Sequence, residues 1–451
     1  MTASHPALKV LLSLAWPVII ARSTQVVVNM TDAVMVAHLG ENALAATTTG
    51  GLNAYAGFIF PMGITFVISS FSAQLFGRLD VGGARRFGWY GLGLGLISQI
   101  VMLISLPALP WLISGFDYSP PVRTLMESYL TIRLLSTGAA VGIEALGNYY
   151  GGIGNTRIGM RVNISAMLLN ILLNWLLIDG HGGFPALGVA GSAWASVIAT
   201  SLACGVFVAI FLWQGRYHGW PLLRWDELGR LLRFGIPAGL NWSFEFFAFI
   251  AFINVVVASL GTVSLAAMMA VMQLNSFSFM PAFGLGSAGA ILIGHAIGGR
   301  RQAEVPGILL LTFLVTAAWM GLVGLAYVLM PELLLHPFVP AGTQGSKFLV
   351  IGKHMLVFSA LWQLFDAAGI TLSEALRAAG DTTFSMWVRG ILAWLVFLPG
   401  SWISVHYFGG AERSAVAWLL VYLGALAGVF YWRFQSCAWR HIELVAGAPI
   451  H

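Results

Sequence analysis

Apolar stretches interrupted by short polar or cationic segments recur along the whole chain, and their lengths predict the architecture. A helix needs about twenty apolar residues to cross the roughly 30 Å hydrocarbon core of a bilayer. Stretches of that length or more fall near 10–36, 46–76, 88–114, 124–150, 160–179, 187–213, 232–259, 264–296, 306–331, 348–376, 384–405 and 414–434. Twelve spans are expected, the longest of them tilted or kinked. The cations fall between spans with a strong bias. With the N-terminus in the cytoplasm, sixteen of the 22 Lys and Arg residues lie on the cytoplasmic side or at cytoplasmic helix ends, among them Arg85, Arg86, Arg224, Arg301, Arg377 and Arg389. Four (Arg123, Lys347, Lys353 and Arg413) lie opposite, and Arg22 and Arg133 fall inside spans. The excess of positive charge on cytoplasmic loops predicts that both termini are cytoplasmic. Met1–Lys9 is too short and too weakly charged for a transit peptide, so the first stretch is expected to be a retained helix and not a cleaved signal.

The chain also repeats itself. LLSLAWPVI from Leu11 matches LLRFGIPAG from Leu231, LGENALAA from Leu39 matches LGTVSLAA from Leu260, and FPMGI from Phe60 matches MPAFG from Met280. Pro17 thereby pairs with Pro237 and Pro61 with Pro281. Farther on, GGIGNT from Gly151 pairs with RAAGDT from Arg377. The expected fold is an all-α polytopic membrane protein with two pseudo-symmetric six-helix lobes. Residues 1–213 form the N-lobe, 214–230 a cytoplasmic linker, and 231–451 the C-lobe with a cytoplasmic tail. Two halves in the same sense form a parallel repeat, an arrangement that alternating-access transporters use.

Composition narrows the class. Hydrophobic side chains make up 58% of the residues and charged ones only 9%, against about a quarter charged in soluble domains. The net charge of +5 is scattered and forms no basic stripe interleaved with aromatics, which excludes nucleic acid as a partner. Cys204 and Cys437 have no metal-binding spacing and suggest no disulfide framework. Neither HExxH, nor G-x-S-x-G, nor a phosphate-binding loop occurs, so no enzyme, ATPase included, is expected, and no cofactor.

Three acids lie deep in apolar runs: Asp32, Glu245 and Asp366. A bare carboxylate at bilayer depth costs about 2.5–3.5 kcal/mol even on insertion scales, so each must face protein or a water-filled cavity. Gln25, Asn29 and Asp32 share one helical face, with Asp32 presented among amides and without a cationic partner. Asn170 and Asn174 stand four residues apart in the fifth span. These amides either hold helices together or serve as ligands. Their oxygens suit a hard cation such as Na⁺, at Asp32, Asn170 and Asn174 or at Glu245 and Asp366, whereas a lone carboxylate suits a proton. Asn241 lies one turn before Glu245, and Trp362 and Gln363 lie one turn before Asp366. Pairing of Glu245 or Asp366 with a buried arginine is not expected, because the two arginines assigned to spans belong to the first half. Glu144 and Glu374, near cytoplasmic helix ends, are expected in ion pairs with Arg157 and Arg377.

The two six-helix halves, TDAVMVAHLG from Thr31, GGIGNTR from Gly151 and PALGVAGSAWAS from Pro185 resemble the MATE family of multidrug and toxic compound extrusion antiporters over essentially the whole chain. NWSFEFF around Glu245, and LFDAAG around Asp366 followed by EALRAAGDT, resemble the NorM-like branch. The resemblance implies cation coupling at Glu245 and Asp366 in the C-lobe and at Asp32, Asn170 and Asn174 in the N-lobe. Trp362 stands where NorM-like relatives often carry a tyrosine, which removes a phenolic ligand and favours H⁺ over Na⁺ at Asp366. The implied activity is export of organic, chiefly cationic, lipophilic drugs in exchange for H⁺ or Na⁺, by a monomer in the bacterial inner membrane. A lipid-linked oligosaccharide flippase of the same superfamily is the competing expectation. It would call for cationic residues in its cavity, whereas the charge within these spans is mainly acidic. Single cysteines placed in 214–230 should react with impermeant thiol reagents only from the cytoplasmic side; labelling from outside in intact cells would reverse the orientation.

Overall fold

The computed structural model describes residues 5–115, 118–216, 222–339 and 345–446, with side chains from Ala7 onward. Among the described residues there are helices and no strands. Twelve helical segments are long and apolar enough to cross a membrane: α1 Ala7–Ala37, α2 Glu41–Gly77, α3 Val81–Ser114, α4 Pro120–Gly152, α5 Thr156–Ile178, α6 Val189–Gly215, α7 Trp225–Leu260, α8 Thr262–Gly298, α9 Gln302–Leu329, α10 Gly345–Ala379, α11 Thr382–His406 and α12 Glu412–Gln435. They coincide with the twelve expected spans, and the chain is an integral membrane protein. On α3, Leu96, Ile97, Ile100, Val101 and Ile104 stand exposed, Ile104 at 74%. Their three- and four-residue spacing makes one apolar stripe that lipid, not water, would cover.

The structure also displays the internal repeat in its backbone. Gly40 and Gly261, each just before one of the paired helices α2 and α8, have φ of 106° and 98°. Gly154 and Gly380, in the turns after α4 and α10, have φ of 81° and 94°. Residues with a Cβ rarely adopt these angles, so glycine recurs at equivalent places because the turns recur. The partners α2 and α8 are each 37 residues long, with Pro61 and Pro281 inside. A proline within a helix removes a backbone donor and is tolerated in lipid where neighbours satisfy the freed carbonyls. Near Pro281, Trp319 Nε1 on α9 donates to the Ser278 carbonyl at 3.0 Å.

Two compact units emerge, Ile20–Gly239 and Met1–Ile19 with Leu240–His451. Their edges differ from those of the sequence halves, because α1 and α7 each contribute to both units. Leu11 and Ala15 of α1 pack with Leu285 and Ala288 of α8, and a Cβ on Gly284 would come within 3.0 Å of the Ile19 backbone nitrogen. In the other unit, a Cβ on Gly239 would lie 2.7 Å from the Phe60 carbonyl oxygen, and one on Gly63 would lie 2.7 Å from Gly239 Cα. These are equivalent close approaches in the two repeats, both next to the paired prolines.

Of the expected linker 214–230, residues 217–221 lie outside the described residues, and 225–230 are already helical as the start of α7. Asp226 and Glu227 in its first turn suit the positive end of the helix dipole. Arg86 binds Glu227 through two bonds of 2.7 and 2.6 Å, and Tyr90 donates to Glu227 at 3.0 Å. These contacts hold the start of α7 against α3. Later in α7 and in α11 the backbone widens into π-helical turns, at Phe252–Val257 and Leu392–Phe397.

Close packing of α4 on α2 depends on small residues, as it does generally where helices associate in lipid. A Cβ on Gly152 would meet Ser69 O at 2.7 Å and Ala73 N at 3.0 Å, backbone atoms that cannot rotate aside, whereas Gly93 has nothing within 4 Å. Gly152→Ala should lose about 1–3 kcal/mol, the usual range for overpacking, and lower the apparent melting temperature in detergent. Gly93→Ala should leave it unchanged.

Candidate functional site

In the unit Ile20–Gly239, Asp32 lies in the second half of α1 and is 6% exposed. Asn170 and Asn174 project from one face of α5, as their four-residue spacing requires, and both are buried. Asn174 Nδ2 donates to Asp32 Oδ1 at 2.5 Å and lies 3.3 Å from Asn170 Oδ1. Asn170 Nδ2 in turn donates to Ser196 Oγ of α6 at 3.1 Å. Asn174 Oδ1 is buried without a hydrogen-bond partner, leaving an acceptor beside a carboxylate. Three helices therefore bring oxygen atoms together around Asp32. No ion pair reaches it, but Arg133 of α4 lies within electrostatic range. The expectation that Asp32 lacks a cationic neighbour is corrected to that extent. Arg133 is held by Ser136, to which its Nη1 donates at 2.9 Å, so its charge acts at a distance.

Gln25 and Asn29 do not join this network. Both are exposed, and Gln25 Nε2 donates to Asn29 Oδ1 at 3.0 Å. Sharing a helical face with Asp32 did not bury them.

The second constellation lies in the unit that contains Leu240–His451. Glu245 of α7 forms an ion pair with Arg389 of α11, and Tyr422 of α12 approaches Glu245 Oε1 at 3.5 Å through its hydroxyl. The sequence reading had set Arg389 at a cytoplasmic helix end and had not expected a buried arginine partner for Glu245. The structure overturns both points. Arg389 sits two turns into α11, and its long side chain carries the guanidinium inward, leaving it only 11% exposed.

Asp366 on α10 is half-buried, and among the described residues it makes no hydrogen bond or ion pair. It lies within electrostatic range of Glu245 and Arg389. Asn241, one turn before Glu245, is buried with Oδ1 unpartnered. Trp362 belongs to the hydrophobic core of this unit. Gln363 points elsewhere: its Nε2 donates to Asn275 Oδ1 at 2.6 Å, and its Oε1 accepts from Ser278 Oγ at 2.9 Å. It serves to join α10 to α8.

Arg389 and Tyr422 escaped sequence reasoning for different reasons. Arg389 had a visible signal, a cation followed by a long apolar run, but one read as a boundary. Tyr422 had none, since one tyrosine in an apolar helix carries no mark of what it faces.

Glu144 and Glu374, the two acids expected in ion pairs, both have one. Arg22 of α1 binds Glu144 of α4 through bonds of 2.9 and 2.5 Å, so the expected partner Arg157 is replaced by one from another helix. Glu374 pairs with Arg377 as expected, the latter's Nε lying 3.1 Å from Oε1.

A family model described as MatE matches residues 17–176 and 237–403. A probable multidrug resistance protein NorM of Mesorhizobium japonicum is 27% identical over 410 residues, covering 88% of this chain and 87% of that one. One from Neisseria meningitidis serogroup A is 28% identical, covering 95% and 94%. Among solved structures, a MOP superfamily transporter from Pyrococcus furiosus has a TM-score of 0.86 at 20% identity, with 97% of each chain covered. An outward-facing multidrug resistance MATE family transporter has a TM-score of 0.85, also at 20% identity and 97% coverage of each chain. At that identity the likeness is one of fold.

The Glu245–Arg389 pair makes a stability prediction. Glu245 is 32% exposed on its side chain, so removing it should cost less than the roughly 3–5 kcal/mol typical of breaking a fully buried pair. Glu245→Gln and Arg389→Gln should each lower the apparent melting temperature, and the double variant should lose less than the sum. A coupling of about 0.5–3 kcal/mol is expected for contacting groups. Strict additivity would show the pair to be energetically idle.

Proposed function

The chain belongs to the MatE family, and on that premise we propose that it is a secondary multidrug efflux antiporter, exporting organic cations in exchange for H⁺ or Na⁺. The observation that carries this reading is the Asp32 cluster: a buried carboxylate with no ion pair, bonded to Asn174 and flanked by Asn170 and Ser196. A carboxylate in this setting can be neutralised by a proton or by a small hard cation, and the asparagine oxygens are ligands suited to the latter. Occupancy changes the local charge by one unit. A conformation that binds the ion better is favoured by exactly the difference in its affinity for the two states, which is how an ion gradient drives alternating access.

The Glu245, Asp366 and Arg389 cluster supports the same reading for the other unit, since it offers negative charge within the spans for a lipophilic cation. The relatives named as multidrug resistance proteins support drugs as the substrate class. They come from bacteria, which supports the inner membrane as the location. The distribution of Lys and Arg between loops supports cytoplasmic termini, and a single chain carrying both repeats can act as a monomer.

Asp32→Asn keeps the shape and the Asn174 contact while removing the exchangeable charge. It should insert and express normally yet lose gradient-driven efflux of a fluorescent cation from everted vesicles. With ΔpH and ΔNa⁺ imposed separately on wild type, the gradient that drives efflux identifies the ion. Unaltered transport by Asp32→Asn would make Asp32 structural and remove the basis for coupling in this unit.

A further inference from the structure

In the unit containing Leu240–His451, the charges that face one another do not cancel. Glu245 comes from α7, Asp366 from α10 and Arg389 from α11, while α12 adds the phenol of Tyr422. Neighbouring charged groups on α10 and α12 are engaged elsewhere: Glu374 with Arg377, and Arg433 with Asp381 at 2.7 Å. Arg389 is committed to Glu245, which leaves the charge of Asp366 uncompensated. Two further groups at the cluster are unmet, since Arg389 Nε and Asn241 Oδ1 are both buried without hydrogen-bond partners. Buried polar atoms are nearly always satisfied, so this donor and acceptor are available to a polar occupant.

π-helical turns begin at Leu392, just after Arg389, and at Phe252, after Glu245. Phe252 and Phe397 meet at 4.8 Å between ring centroids, and Phe397 meets Tyr422 at 5.3 Å. Wide turns of this kind occur frequently at functional sites. Here the ring contacts join α7, α11 and α12 beside the Glu245–Arg389 pair.

We propose that Arg389 is the specificity-determining residue of this cluster: by holding Glu245 it leaves one net negative charge, so the site takes one proton or one monovalent organic cation and disfavours dications. The proposal rests on the reading of Glu245 and Asp366 as cation-binding groups. Removing the guanidinium leaves two facing carboxylates, a better match for two positive charges. Arg389→Lys keeps the charge while giving up the planar fork.

Ethidium and propidium share one ring system and carry one and two positive charges, so the ratio of their affinities for the purified full-length chain in nanodiscs reads charge preference. At pH 8.5, Arg389→Gln should shift the ratio toward propidium by about tenfold or more, an effect of the size expected for one unit charge in a partly desolvated site. Arg389→Lys should stay near the wild-type ratio. An unchanged ratio in Arg389→Gln, with ethidium binding still lost in the Glu245→Gln, Asp366→Asn double variant, would reduce Arg389 to a structural role and overturn the proposal alone. Ethidium binding undiminished in that double variant would overturn the reading of the acids and the proposal with it. Should Arg389→Gln fail to yield monodisperse protein, Asp366→Asn decides. It leaves the Glu245–Arg389 pair in place, and it should weaken ethidium binding by about tenfold or more; full retention would overturn the proposal.

Discussion

Because hydrocarbon offers a charge nothing to bind, each ionisable side chain within the spans of this protein must find its solvent in another part of the chain, and the placement of its acids follows from that requirement. Glu144 is met by Arg22, Glu245 by Arg389, and Glu374 by Arg377. Pairs of this kind are weak evidence of stabilisation, since desolvation offsets much of the attraction. Asp32 and Asp366 differ from these three: among the described residues neither has an ion-pair partner, and each has a neutral polar neighbourhood or an unbalanced charge around it.

The repeat provides two similar scaffolds, and the site residues break the similarity. Gly40 and Gly261, Gly154 and Gly380, and the two proline pairs keep the turns and close approaches alike in both halves. On that common frame Gln25 of α1 is answered by Glu245 of α7, and Asp32 by Phe252. Where one half has a buried carboxylate, the other has an aromatic ring at the start of a π-helical turn, packed on Phe397. Equivalent helices thus carry different chemistry: a ligand-like network of amides in one unit, and an acid pair around an arginine in the other.

α1 and α7 have a mechanical distinction as well. Each belongs partly to one compact unit and partly to the other, and each contains a proline close to the residue where membership changes, Pro17 before Ile19 and Pro237 before Gly239. A helix that is interrupted at this point can bend there without losing further backbone bonds. Asp32 and Glu245 are carried by the portions of these helices that follow the prolines. The candidate cation-binding acids and the helix breaks are therefore located on the same two elements.

The sequence by itself determined the span count, the repeat, the acids that lie deep in apolar runs and the shared face of the α5 asparagines. Each of these follows from local composition or periodicity: a helix in lipid must be apolar for about twenty residues, and groups four apart share a face. Only the tertiary structure decided which polar groups meet. It brought Asn174 to Asp32, paired Glu245 with Arg389 and Glu144 with Arg22, brought Tyr422 to Glu245, turned Gln363 toward Asn275 and left Gln25 and Asn29 exposed. It also assigned the first halves of α1 and α7 to units other than those of their sequence halves. The physical reason is that helical periodicity specifies a direction around one axis, whereas a contact depends on the separation, depth and rotation of two. Long side chains such as Arg389 extend that uncertainty by reaching well beyond their own helical turn.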